Sequence, residues 1–233
     1  SPNSRSKTSL GLVSIGSGRY YPPGQDFTYS YRITDEAGSA LETSPRTRTY
    51  LDPRIQWETL SDGFITVYYH GGLRSRAGTI LEATQQTLEA MGRVLEAQLT
   101  QPIRLIVYNS YADMAPALPF VSATYESALL TQGQAYAEQG VLLLFGGDRN
   151  IRGVTSHEVI HLLVHQAASS PLAQVPPWLN EGLAEYGNIL PGAEYDRALQ
   201  AAIRRGALSP LRNMAARPGN PDQVILFYGQ SKS

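Results

Sequence analysis

Apolar and polar residues alternate strictly through FTYSYRI, residues 27–33: Phe27, Tyr29, Tyr31 and Ile33 fall on one side, Thr28, Ser30 and Arg32 on the other. A period of two belongs to a strand with one face in the core and one in water. Asp35, Glu36, Ala37 and Gly38 follow with turn chemistry, and a second extended run passes through TRTYL. Together these read as a β-hairpin, the last piece of a β-sandwich-like N-terminal segment over residues 1–54, with LDPR (51–54) as its junction.

Past that junction the period changes. FITVYYH (64–70) reads as a strand, residues 75–98 repeat apolar positions at helical spacing (Ile80, Leu81, Leu88, Met91, Val94, Leu95), and PIRLIVYN (102–109) reads as another strand. Strand, long helix, strand is a crossover unit, which predicts that the two strands run parallel. A short helix is expected near 111–118, one or two strands between 121 and 138, and a short apolar strand in VLLLFGG (141–147), ended by its glycines. Beyond residue 150 the pattern is helical. One helix carries HEVIHLLVHQ, a proline-containing loop runs SSPLAQVPP, Trp178 opens a second helix (WLNEGLAEY), and further helices cover 193–204 and 222–230. The expected fold class over residues 55–233 is α+β, with strands concentrated before residue 150 and helices after it.

Composition narrows the chemistry. The chain has 233 residues, 42% of them hydrophobic, enough for one large domain or one domain with a small companion. A net charge of −1 with 17% charged residues offers no polyanion-binding surface, so nucleic acid is not an expected partner. Of the 19 lysines and arginines only Lys7 and Lys232 are lysine, and the arginines are scattered in a way that marks no site. There is no cysteine, so any metal must be held by His, Asp or Glu. No apolar run reaches the roughly 20 residues that span a bilayer, and no export signal opens the chain. The polar SPNSRSKTS start and the stop at FYGQSKS, directly after VILFY, read as a piece of a longer protein, with the 55–233 domain truncated at its C-terminus.

The candidate chemistry lies at 157–185. Helix positions four apart are offset by about 40°, so His157 and His161 project from one face and can share a zinc ion. Glu158, rotated by about 100° from His157, lies beside such an ion, where it can take a proton from a water. His165 continues the stripe, but two turns, about 12 Å, separate it from His157, and it reads as a packing or hydrogen-bonded histidine instead of a ligand. Val164 and Ala167 occupy the places where HExxHxxGxxH needs its glycine and third histidine. The third ligand is then a carboxylate from another segment. If the loop after the first helix turns the chain back, Glu181 of WLNEGLAEY meets the two histidines, and Glu185 on the same face accepts a hydrogen bond from the far nitrogen of a ligand histidine.

HEVIH followed by WLNEGLAEY resembles the gluzincin metallopeptidases, the group containing thermolysin and the aminopeptidase N-like enzymes, and is most similar to the bacterial peptidase MA-like families with their PxWLxEGLAEY phrase. The specific resemblance covers about 155–186, with a weaker one over 60–230. It implies a zincin-like fold and a Zn2+ cofactor held by His157, His161 and Glu181. It also implies Glu158 as general base, Glu185 behind the ligands, and a peptide or protein substrate bound along an edge strand, the position of VLLLFGG. Two departures stand out: the 47 residues after Tyr186 leave no room for the helical lobe of thermolysin, and no histidine lies downstream of His165 to hold the oxyanion. The Y-x-Q-S context of Tyr228 resembles that of the oxyanion tyrosine of related families, with Tyr195 and Tyr136 as weaker candidates. The expected activity is zinc-dependent peptide hydrolysis. Its alternatives are a zinc hydrolase of non-peptide amides and a catalytically inactive cell-surface binding module. An extracellular or envelope location is expected, with the cytoplasm as alternative.

Overall fold

A computed structural model describes residues 20–35, 37–119, 133–168 and 175–233. The described chain opens with a ribbon of four short strands, β1 (Asp26–Tyr29), β2 (Arg32–Thr34), β3 (Ala40–Glu42) and β4 (Arg46–Thr49). β1 pairs antiparallel with β4, and β2 with β3, which is the expected hairpin in two pieces. FTYSYRI is therefore not one strand. Two residues separate β1 from β2 but three separate β3 from β4, and the extra residue makes a bulge where Thr43 and Tyr31 exchange hydrogen bonds. Tyr31 and Ile33, expected in the core, are 47% and 44% exposed, because this outer half of the ribbon is exposed at every position of β2 and β3 and has neither face covered among the described residues. An ion pair between Asp26 and Arg104 ties the ribbon to the main sheet.

That sheet has five strands in the order β5-β6-β7-β9-β8: β5 (Glu58–Asp62), β6 (Ile65–Tyr69), β7 (Ile103–Tyr108), β8 (Gly133–Tyr136) and β9 (Val141–Phe145). β6 and β7 are parallel, as the crossover predicts, with Ile65 opposite Ile103. β9 is parallel to β7, whereas the two outer strands run antiparallel to their neighbours. β5 escapes a reading of the sequence because ETLSD carries one apolar residue and no alternation.

Six helices are described: α1 (Arg74–Val94), α2 (Tyr111–Met114), α3 (Ile151–Ala167), α4 (Pro177–Tyr186), α5 (Ala193–Arg205) and α6 (Pro221–Lys232). One face of the sheet (Val67, Leu105, Leu142, Leu144) packs on Ile80 of α1 and on Val159 and Leu162 of α3. The other face (Ile106, Tyr108, Leu143) is covered by Met114 of α2 and by Leu51, Ile55 and Trp57. A third cluster joins Met91 of α1, Ile160 and Leu163 of α3, and Ala184 of α4. The result is a mixed α+β fold, helical in its C-terminal half. Most of the expected 121–138 strand region and the middle of the SSPLAQVPP loop lie outside the described residues. No helix among those described is long and apolar enough to cross a membrane.

VLLLFGG does not form the sheet edge. Val141 to Leu144 are fully buried, and β9 lies between β7 and β8. A strand apolar at every position needs cover on both faces, which an interior place supplies. The edge belongs to GQAY, β8, whose free side carries no strand among the described residues.

Candidate metal and active site

α3 is apolar around most of its circumference, burying Ile151, Thr155, Ser156, Val159, Ile160 and Leu162 to Val164. His157, Glu158, His161 and His165 are left as a polar stripe facing a cleft of about 960 Å³. The helix is fixed from behind: Thr87 of α1 lies 2.7 Å from Ser156 Oγ, which also accepts a hydrogen bond from Ile189 N at 3.1 Å.

α4 crosses α3 with Ala184 in the shared apolar cluster, and this sets its neighbours Glu181 and Glu185 against the histidines. They are 9% and 2% exposed, and burying carboxylates so deeply costs several kcal/mol each unless partners compensate. Glu185 Oε1 lies 2.7 Å from His157 Nδ1. With that nitrogen donating, His157 Nε2 faces the cleft. There Nε2 of His157, Nε2 of His161 and Oε2 of Glu181 form a triangle with sides of 3.1, 3.3 and 3.5 Å. Tetrahedral zinc with ligand bonds near 2.0–2.1 Å separates neighbouring ligand atoms by about 3.3–3.4 Å. His157, His161 and Glu181 thus fit a metal ion by separation as well as by donor type. Glu181 Oε2 is buried without a hydrogen bond of its own, as an oxygen reserved for a cation would be.

Electrostatics agree with the geometry. Burial alone would favour neutral His157, but Glu181 and Glu185 outweigh it and raise the pKa from 6.5 to about 10. Burial opposes ionisation of Glu181 too, yet the two histidines hold it far below the usual carboxylate range. Two buried carboxylates around one imidazole make a site that demands positive charge.

Glu158 lines the cleft beside the triangle and is not part of it. Strand β8 passes close by at Gly133, where a Cβ would sit 2.9 Å from Glu158 Cγ and 2.8 Å from Val154 Cγ1. Glycine is what lets the sheet edge approach the acid this closely.

Tyr228 of α6 is buried, with its ring 5.7 Å from that of His157. Burial, reinforced by Glu181 and opposed by Arg217, pushes its hydroxyl pKa far up, so the phenol keeps its proton. Tyr195 lines the cleft one ring further out, 5.4 Å from Tyr228. Tyr136 lies instead on the opposite face of the sheet, packed with Ile106 and Tyr108 and 5.2 Å from Tyr20. His165 is outside the metal group, as helix rise requires, but it does not pack in the core: it is exposed at the cleft. The reading of the sequence missed Gly133 at the strand edge and Arg217, whose guanidinium lies 5.2 Å from the Tyr228 ring centroid. Neither sits in a periodic pattern that could have marked it.

A family model described as the Peptidase MA superfamily matches residues 82–233, which include every residue of this site. No curated protein matches the chain.

Proposed function

Because the chain belongs to the peptidase MA superfamily, we propose that it is a zinc-dependent peptidase of the gluzincin type, hydrolysing peptide bonds in the cleft between β8 and the helical half. The observation that carries the reading is the triangle of His157 Nε2, His161 Nε2 and Glu181 Oε2, with sides near those of a tetrahedral zinc site. His157, His161 and Glu181 hold the ion, and Glu185 fixes the tautomer and orientation of His157 through Nδ1. When bound, zinc polarises the scissile carbonyl and brings the pKa of a water near neutrality. Glu158 takes the proton of the attacking water and passes it to the leaving amine. Tyr228, kept protonated by its burial, donates its O–H to the oxyanion as charge develops there. The side of β8 that carries no strand among the described residues pairs with the substrate backbone and lays it past Glu158, an approach that Gly133 permits.

Glu158→Gln keeps the size of the side chain and removes the base. Zinc content should stay near one per chain while peptide turnover falls by roughly 10²–10⁴-fold. Turnover retained in the zinc-loaded variant would refute the assignment of Glu158.

A further inference from the structure

Charge in the cleft is one-sided. Among the described residues its lining carries five carboxylates, Glu138, Glu158, Glu181, Glu185 and Glu194, against a single Lys or Arg, Arg217. The carboxylates of Glu181 and Glu185 are engaged by the histidines. Arg217 forms no ion pair with any acid among the described residues. It is exposed on the segment between α5 and α6, with its guanidinium placed over the Tyr228 ring. A contact through the ring face restrains the long side chain while leaving in-plane N–H donors for a planar, bidentate acceptor.

We propose that Arg217 is a specificity residue that anchors a carboxylate of the peptide substrate on the Tyr228 side of the metal group. The inference rests on the peptidase reading and deepens it. Acidic groups elsewhere along the lining repel a substrate carboxylate, so Arg217 sets the register by attraction at one point and rejection at the others. The guanidinium is two contacts from His157, at 5.2 and 5.7 Å. At about 3.3–3.6 Å per extended residue, the anchored carboxylate then lies within about three residues of the scissile bond. The same chemistry is offered by a peptide C-terminus and by an Asp or Glu side chain.

The test is cleavage profiling of the zinc-loaded protein on a peptide library in which each member exists with a free and an amidated C-terminus, and with Asp or Asn at each position. Wild type should favour members with a carboxylate within three residues of the cut. Arg217→Ala should raise KM for these at least about tenfold more than for their amide counterparts, leave kcat nearly unmoved, and keep the zinc content. Arg217→Lys should restore part of the preference. A loss confined to free against amidated C-termini assigns a terminal carboxylate, and a loss confined to Asp against Asn assigns a side chain. An equal effect on carboxylate and amide members, or none, overturns the anchor while leaving the peptidase reading intact. A zinc-loaded wild type that cleaves no member overturns the peptidase reading, and the anchor with it.

Discussion

His157 is the residue on which the site turns, because its two nitrogens serve two purposes. Nδ1 is committed to Glu185 at 2.7 Å, so Nε2 carries either a proton or a metal. In the metal-free protein the folded pKa, about 10, lies above the 6.5 of an unperturbed imidazole. The stabilisation from this ion pair is therefore fully present below about pH 6.5 and is lost as pH rises through about 10. Metal bound at Nε2 would replace that proton, so loading with zinc at pH 8 should release at least about one proton per site. Calorimetry in two buffers of different ionisation heat measures the release, and a heat independent of buffer would show that Nε2 is already free. The pairs His157/His161 and Glu181/Glu185 were each legible in the sequence, because a spacing of four residues on a helix is itself a geometric statement, but the meeting of one pair with the other was only what the resemblance implied. Arg217 was not legible. It stands in MAARPGN, where no period relates it to anything, and only the return of α6 onto α4 brings Tyr228 beneath it.

Among the elements, α4 and α6 are the pair whose contact places Tyr228. At Gly182 a Cβ would stand 2.2 Å from the backbone oxygen of Ser231. The two helices therefore meet backbone to backbone, about 100° around α4 from Glu181 and about 60° from Glu185. Gly182→Ala should push α6 outward and destabilise the protein by about 1–3 kcal/mol, readable as a lower midpoint of thermal unfolding. Unchanged stability would mean that α6 is not seated on α4 as described. Strand identity was legible wherever a run was apolar enough, as in β6, β7 and β9, and the parallel pairing of β6 with β7 followed from the crossover. Strand position was not. The run at 141–147 resembled a substrate-binding edge by its place before α3, whereas β8 takes the edge because GQAY, half polar, tolerates an open side. The bulge between β3 and β4 was equally hidden, since it depends on one residue in surplus over the facing segment between β1 and β2.

In the whole molecule the candidate ligand atoms lie on two helices, α3 and α4, so an ion bound among them would act as a crosslink within the helical half. An ion at a free concentration 100-fold above its dissociation constant stabilises the fold by about 2.7 kcal/mol. For a chain of this length that corresponds to roughly 5–10 °C in the thermal midpoint. Chelation should lower the midpoint by that order, zinc should restore it, and His161→Ala should abolish the difference. A midpoint indifferent to chelator and to zinc would contradict a metal site at these residues.

The sequence by itself determined the order and type of most elements and the identity of the three ligand candidates. Element type and the facing of His157 and His161 are encoded in local periodicity, which survives without knowledge of the rest of the chain, whereas Glu181 was named by the resemblance of WLNEGLAEY and needed the chain to turn back. Only the tertiary structure decided what depends on distant segments meeting: which strand borders the cleft, how closely Gly133 lets it pass Glu158, which tyrosine faces His157, and that one arginine of many stands in an acidic cleft. Those are consequences of packing between residues dozens of positions apart, and no short pattern carries them.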